Sequence, residues 1–360
     1  MLLSRIRQFL WLTAALALGF GLLPAAAFAQ SPSPLAPAST STDSISSLYW
    51  RIFLTALVIW VLVQGLILFS AFRFRRRSDA LPPQVFGHTR LEMAWTIAPF
   101  IVLMVILFLT VQVLGVTRYT AEAGADELQV EVIGHQWFWE YRYPKQGAVP
   151  DEIITAADLV VPVDQRVHLR IWSDDVIHSF WIPQLAGKTD ANPVIFMREG
   201  QVGPGVKQLN SWFQATKTGV YEGQCAEYCG EQHAIMRMRV KVVDRATWDE
   251  WVKRNTAPAQ PAATGFAIER GKQVFLDERN LCVSCHTIKG TTAAGKVGPN
   301  LSNIGGRQEI GAGALTNSPE NLRTWIRNAP GVKSGIKMPA FPQLTDADLD
   351  ALVAYLSSLK

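Results

Sequence analysis

The sequence predicts a multi-domain chain: a two-helix transmembrane hairpin, then a small all-β sandwich or barrel, then a small all-α domain. Three observations predict this. Two uncharged apolar runs, Leu54–Phe72 and Ala94–Val116, are each long enough to cross a bilayer. Between Leu128 and Val243 short β-rich runs are separated by turn signals. Beyond Gly265 the patterning turns helical. The chain's 360 residues suffice for two ordinary domains with appendages, and its 49% apolar content is concentrated near the N-terminus.

Residues 1–29 read as a secretory signal. Arg5 and Arg7 form the basic end, Phe9–Leu23 is apolar, and Ala27-Phe28-Ala29 is a small-x-small cleavage site before Gln30. A retained first membrane helix is the alternative, but Pro24 and the alanine run end the apolar stretch early. Residues 30–47, rich in Ser, Pro and Thr, read as a flexible leader. The hairpin is expected over residues 48–117, with helices at about 50–72 and 94–116. Only helices satisfy the backbone of two such segments in lipid. Arg73, Arg75, Arg76, Arg77 and Arg90 lie between them against Asp79 and Glu92, which places the connecting loop in the cytoplasm. Both mature termini, and everything after Val116, are then expected outside it.

The β domain is expected over residues 118–254, with strands at Leu128–Ile133, Val160–Val163, Val167–Trp172 and Met236–Val243; Arg237–Val243 alternates polar with apolar. Residues 255–264, with Pro258 and Pro261, read as a linker. The helical domain, residues 265–360, is expected to hold helices at Phe266–Leu276, Pro319–Asn328 and Thr345–Leu359, the last opened by Thr345. Residues 118–254 carry 15 Lys and Arg against 19 Asp and Glu, and residues 265–360 carry 11 against 8. Opposite signs on tethered halves favour their facing each other; ordinary scatter in composition is the alternative.

The four cysteines fall in two close pairs, so structural disulfides are not their expected use. Cys282-Val-Ser-Cys285-His286 has the spacing that attaches c-type haem. Two thiols add to the vinyl groups and the adjacent imidazole ligates iron. A zinc pair is the alternative, but residues 265–360 hold no other cysteine or histidine to complete such a site. The second axial ligand is expected to be Met338, the one methionine after Gly265. In Cys225-Ala-Glu-Tyr-Cys229-Gly-Glu-Gln-His233-Ala-Ile-Met236, thiolate, imidazole and thioether form the set that soft or borderline copper prefers. Two thiolates can bridge a metal pair, and His178 is the best candidate to close the site. His135 and His168 lack such company and read as structural or exposed.

The segment after Gly265 resembles a class I cytochrome c, through Gly298-Pro-Asn-Leu301, Asn321-Leu-Arg-Thr-Trp325-Ile and Lys337-Met338-Pro339. The whole mature chain resembles subunit II of a haem–copper cytochrome c oxidase, in the class with a fused C-terminal cytochrome c. The matching residues are Gly134-His-Gln-Trp137-Phe-Trp139-Glu-Tyr, His178-Ser-Phe-Trp, Lys188-Thr-Asp190 and Gly223-Gln-Cys225-Ala-Glu-Tyr-Cys229-Gly. The resemblance implies a cupredoxin-like Greek-key β domain with a binuclear CuA centre. Cys225 and Cys229 would bridge both coppers, and His178 and His233 would each bind one. Met236 and the Glu227 carbonyl would be the weak ligands, with the Glu227 side chain left for Mg²⁺ at the subunit I boundary. It implies that electrons enter at Trp137, although any one aromatic of this run could equally be core packing. Glu92 matches the acid at the mouth of a proton path, beside the plainer reading of an interfacial carboxylate. The loop after Pro193 is longer than the family's, and the family's arginine there has no clear counterpart.

The implied function is electron transfer from a covalent haem c to CuA and on to haem and copper in subunit I, which reduces O₂ to water and pumps protons. The implied partners are subunit I with haem a and CuB, subunit III, and an upstream soluble or membrane cytochrome or quinol:cytochrome c reductase. No nucleic-acid partner is expected. The implied location is the bacterial cytoplasmic membrane, with both soluble domains on the periplasmic side. A CuA subunit of a nitric-oxide-reducing complex, or a stand-alone membrane electron carrier, are the alternatives. A quinol oxidase subunit, which shares the fold, would lack the copper ligands.

Overall fold

A computed structural model describes residues 33–76, 86–117, 124, 126–156, 158–193 and 209–360. The expected signal segment, residues 77–85 of the arginine-rich loop, and residues 194–208 with Met197, Arg198 and Lys207 lie outside the described residues.

Helices α1 (Thr40–Arg73) and α2 (Thr89–Thr117) form the hairpin. Their apolar side chains face outward on all sides, and none of α2 is buried. Long helices that are apolar all round and uncovered by protein are suited to lipid. α1 begins at Thr40, not near residue 50, and this corrects the leader expected to run to residue 47. Ser39 caps the helix, accepting from the Thr42 N–H at 3.2 Å. Its hydroxyl donates to the Leu185 carbonyl at 2.6 Å, and Thr42 Oγ1 donates to the Gln184 carbonyl at 2.8 Å. The Ser/Thr-rich stretch is thus buried on the β domain, with its hydroxyls spent on loop carbonyls.

The β domain is a sandwich of two five-stranded sheets. The first holds β1 (Leu128–His135), β2 (Phe138–Tyr143), β3 (Ile153–Ala156), β5 (Arg166–Ser173) and β8 (Leu209–Gln214). The second holds β4 (Asp158–Pro162), β6 (His178–Trp181), β7 (Thr189–Ala191), β9 (Gly219–Cys225) and β10 (Arg237–Val243). β1 pairs antiparallel with β2 but parallel with β5, and β10 pairs parallel with β4. The parallel pairs arise because the chain crosses between sheets, as in a Greek key. Inward residues of both sheets, including Val132, Trp139, Leu169, Leu159, Phe180 and Val240, form one core.

Helix α3 (Arg245–Thr256) follows, which the sequence reading did not expect. Asp244 caps it through the Thr247 N–H at 2.9 Å. Trp248 and Trp251 stack at 5.1 Å and cover Tyr143. The linker is stitched to the helical domain: Ala259 N–H donates to the Lys289 carbonyl at 2.9 Å and Ala262 N–H to the Ser358 carbonyl at 2.8 Å.

The last domain has α4 (Phe266–Leu276), α5 (Cys282–Cys285), α6 (Pro319–Val332) and α7 (Asp346–Ser358), with one two-residue ribbon, β11 (Glu309–Ile310) with β12 (Leu315–Thr316). α4 and α7 cross at Gly271, where a Cβ would sit 1.9 Å from the Ala351 carbonyl oxygen; no larger residue fits that approach. Thr345 caps α7 as expected. α6 breaks at Asn328, ahead of Pro330, and resumes briefly to Val332.

Candidate metal and cofactor sites

The first site lies at one end of the β domain. β9 delivers Cys225, the loop after it delivers Glu227 and Cys229, a turn of 3₁₀ helix delivers His233, and Met236 precedes β10. β6 delivers His178 from the start of its strand. Cys225 Sγ lies 3.8 Å from Cys229 Sγ, 3.8 Å from His178 Nδ1 and 3.2 Å from the Glu227 carbonyl oxygen. Cys229 Sγ lies 3.5 Å from His233 Nδ1 and 3.8 Å from Met236 Sδ. All six sequence candidates therefore converge. The sulfurs stand too far apart for a disulfide, whose S–S bond is ~2.05 Å, and both cysteines are free. Two free thiols among imidazole, thioether and carbonyl donors fit a soft-metal pair.

Asp175, which sequence reasoning missed, orients this cluster. Its carboxylate accepts from His178 Nε2 at 3.0 Å, from the Gln136 N–H at 2.7 Å and from the Val176 N–H at 2.7 Å. His178 therefore turns Nδ1 toward Cys225. Burial works to lower the His178 pKa, but the bonds to Asp175 and Cys225 outweigh it and hold it above the ordinary value. The Cys229 thiol beside Cys225 draws the Cys225 pKa well below the usual thiol range, and the same contact raises that of Cys229. One thiolate is thus ready to receive a cation. Gly134 leaves room for the imidazole, since a Cβ there would meet His178 Cδ2 at 2.6 Å. Asp175→Asn should weaken copper binding by roughly 10–100-fold, the usual cost of losing an outer-shell partner. Competition with a copper chelator measures this, and unchanged affinity would remove Asp175 from the site.

The second site is a cavity of about 430 Å³ in the helical domain. Cys282, Cys285, His286 and Met338 all line it. His286 Nδ1 donates to the Pro299 carbonyl at 2.8 Å, which leaves Nε2 free as a ligand. Burial lowers the His286 pKa and keeps the ring neutral. Gly298 lies flat against that ring, where a Cβ would meet His286 Cε1 at 2.6 Å. Arg307, also on the cavity wall, bonds Asn300 and Asn303 through Nη2, while its buried Nε has no hydrogen-bond partner. Burial pulls its pKa down to about 10. A free thiol pair, an oriented imidazole, a thioether and a buried guanidinium with its Nε unpaired fit a haem with its acidic propionates.

The two sites meet at Trp137. The cavity is also lined by His135, Gln136, Trp137 and Phe138 from the β1–β2 turn. Trp137 Nε1 donates to the Cys229 carbonyl at 3.0 Å and Gln136 Nε2 to the same oxygen at 2.9 Å. Trp137 is only 8% exposed, whereas Trp139 and Tyr141 are wholly enclosed in the β core. His135 is buried, stacks on Phe138 and lies 3.6 Å from Asp174; His168 is buried in β5. The Glu227 side chain is exposed. Glu92 sits in the first turn of α2, where its carboxylate accepts from the His88 N–H at 3.1 Å. Sequence reasoning missed the connecting residue, Lys333, because a loop lysine reads as solvent-exposed.

A membrane hairpin bearing a thiolate cluster and a haem-type cavity within one body defines a class of membrane-anchored electron-transfer proteins. The family model of the cytochrome c oxidase subunit II transmembrane domain matches residues 32–113, that of its periplasmic domain residues 128–243, and that of cytochrome c residues 268–360. The chain belongs to the cytochrome c oxidase subunit II family, in a form with a C-terminal cytochrome c domain, and is a component of an oxidoreductase complex. Cytochrome c oxidase subunit 2 of Alkalihalophilus pseudofirmus is 35% identical over 299 residues, covering 82% of this chain and 80% of that one. That of Bacillus subtilis is 32% identical over 314 residues, covering 80% of each. Among solved structures, the periplasmic domain of cytochrome oxidase subunit II of Bradyrhizobium japonicum is 29% identical, covering 36% of this chain and 94% of that one, with a TM-score of 0.31. The expected membrane, β and cytochrome domains are thus all present, and membership of the subunit II family implies partnership with an oxidase subunit I.

Proposed function

We propose that this subunit passes electrons from its own covalent haem c to a binuclear CuA centre and on to the haem–copper centre of subunit I, for O₂ reduction coupled to proton pumping. The carrying observation is that Trp137 both lines the cytochrome cavity and donates its indole N–H to the carbonyl of Cys229, a member of the thiolate cluster. Bound there, a haem and a copper pair supply reversible one-electron redox chemistry. Cys282 and Cys285 would tether the porphyrin covalently, and His286 and Met338 would serve as its iron ligands. Cys225, Cys229, His178, His233, Met236 and the Glu227 carbonyl would together hold the copper pair, the two thiolates being the donors able to serve both metals. Trp137 is the residue at which electrons enter the copper side, its indole being bonded to the Cys229 carbonyl.

The exposed Glu227 carboxylate is free to bind Mg²⁺ at the subunit I boundary. Glu92, at the helix mouth, serves the proton path into subunit I. The soluble domains face the periplasm, as the arginine-rich loop between the helices supports. Subunit III and an upstream cytochrome or quinol:cytochrome c reductase complete the assembly. EPR and metal analysis of the purified complex test the assignment. Two coppers per subunit II, an electron-delocalised mixed-valence signal and a positive haem stain after denaturing electrophoresis are expected. A single isolated Cu(II) signal, or a negative stain, would sink it.

A further inference from the structure

Lys333 is the most deeply buried lysine among the described residues, 2% exposed; among them no carboxylate pairs with it, and the charge that acts on it is that of Cys229 in the thiolate cluster. Its ammonium donates to three main-chain carbonyls: Trp137 at 3.0 Å, Ile235 at 3.2 Å and Gly311 at 2.8 Å. An ammonium has three donors, and all three are used. Two of the acceptors belong to the β domain and flank the copper cluster. The third belongs to the helical domain, as does Lys333 itself. Burying a charge without a counter-ion is costly unless its hydrogen bonds are complete. The seat therefore tolerates little displacement: moving one domain strands either the ammonium or the carbonyls. Burial lowers the Lys333 pKa to about 8.

Position along the chain gives this contact its leverage. Lys333 ends α6 and begins the segment that runs to Met338. Its neighbour Ser334 bonds Glu231, and Gln232 Nε2 donates to Ser334 Oγ at 2.7 Å. Gly335 lies flat on Trp137, where a Cβ would meet Trp137 Cη2 at 3.2 Å. On the other side of the joint Arg239 pairs with Glu309. The methionine-bearing loop of the helical domain is thus riveted to the face of the β domain that carries Trp137.

We propose that Lys333 is the positioning residue that locks the mouth of the cytochrome cavity onto Trp137, reserving that face for the chain's own cytochrome domain and excluding external donors from it. The proposal rests on the cofactor assignment above. A donor from outside must then reduce the cytochrome domain, because Trp137 is covered. Lys333→Met keeps the side chain's length but removes every donor.

The test uses the intact oxidase. In the Lys333→Met complex, haem-to-copper equilibration after flash reduction should slow by at least about tenfold, because the cytochrome domain would no longer be held in one position against Trp137. An added soluble cytochrome should then reduce the copper directly, without passing through the cytochrome domain. The copper EPR signal and the haem stain should persist. A second measurement needs no variant. When the native complex is treated with an acetylating reagent, exposed Lys296 and Lys337 should react at least about tenfold faster than Lys333, whose access requires the domains to part. Unchanged equilibration with both centres intact overturns the proposal, as does acetylation of Lys333 at the pace of Lys337. An unmodified complex lacking the copper signal or the haem would instead refute the cofactor assignment beneath it.

Discussion

Cys229→Ser is expected to abolish the mixed-valence EPR signal and reduce O₂ consumption by the complex to background. Cys229 is the hub of the cluster: its sulfur lies within 3.8 Å of Cys225, His233 and Met236. A serine hydroxyl is a hard donor that stays protonated near neutral pH, so it cannot bridge a soft-metal pair. His233 and Met236 then lose the atom that ties them to Cys225 and His178. One copper can remain on Cys225 with His178, so metal analysis should fall from two per chain to at most one. The fold should survive, because burying an extra hydroxyl costs about 1–3 kcal/mol. Retention of two coppers would mean that Cys229 is not a bridge.

Met338→Ala is expected to leave the haem attached, because Cys282 and Cys285 hold it covalently, while its reduction potential falls. Axial ligation spans ~0.8 V across haem proteins, and a thioether ligand raises the potential, so its loss should lower it within that range. Met338 lies on the cavity wall and packs against the core of the helical domain, so truncation would enlarge the cavity and leave room there for water. A high-spin optical spectrum and a redox titration report this. A lower-potential haem is a stronger reductant for copper but a poorer acceptor from its own donor, so steady-state turnover should fall as well. An unchanged spectrum would mean that another side chain is the ligand.

Features legible in the sequence were those whose chemistry is local. Cys225 to Met236 and Cys282 to His286 are metal-binding grammars written in adjacent residues, and His178 was reachable because its own short strand supplied a motif. The membrane helices were legible from length and hydropathy alone. What escaped depends on distant contacts. Asp175 looks like one of several loop acids until folding sets it between Gln136 and His178. Lys333 reads as surface until three carbonyls from separate segments close on it. Ser39 to Ser46 has a linker's composition, yet carbonyls at Gln184 and Leu185 give its hydroxyls partners and so a fixed place. Helix α3 was hidden because its tryptophans are bound to Tyr143, a residue a hundred positions earlier in the chain. The opposite net charges of the two soluble domains proved a weak guide: Lys289 does pair with Asp151 across the joint, but Arg239 with Glu309 runs against the net signs.

The linker between α3 and α4 has a kinetic consequence. Its hydrogen bonds to Lys289 and Ser358 make it part of the cytochrome domain's surface and not a free string. A loose tether supplies a donor as a local concentration, so transfer waits on encounters that salt can weaken. A sewn-down tether supplies a fixed distance instead. Electron flow from this chain's cytochrome to its copper would then behave as conduction within a solid body, insensitive to ionic strength, while delivery from outside would keep the salt dependence of a collision.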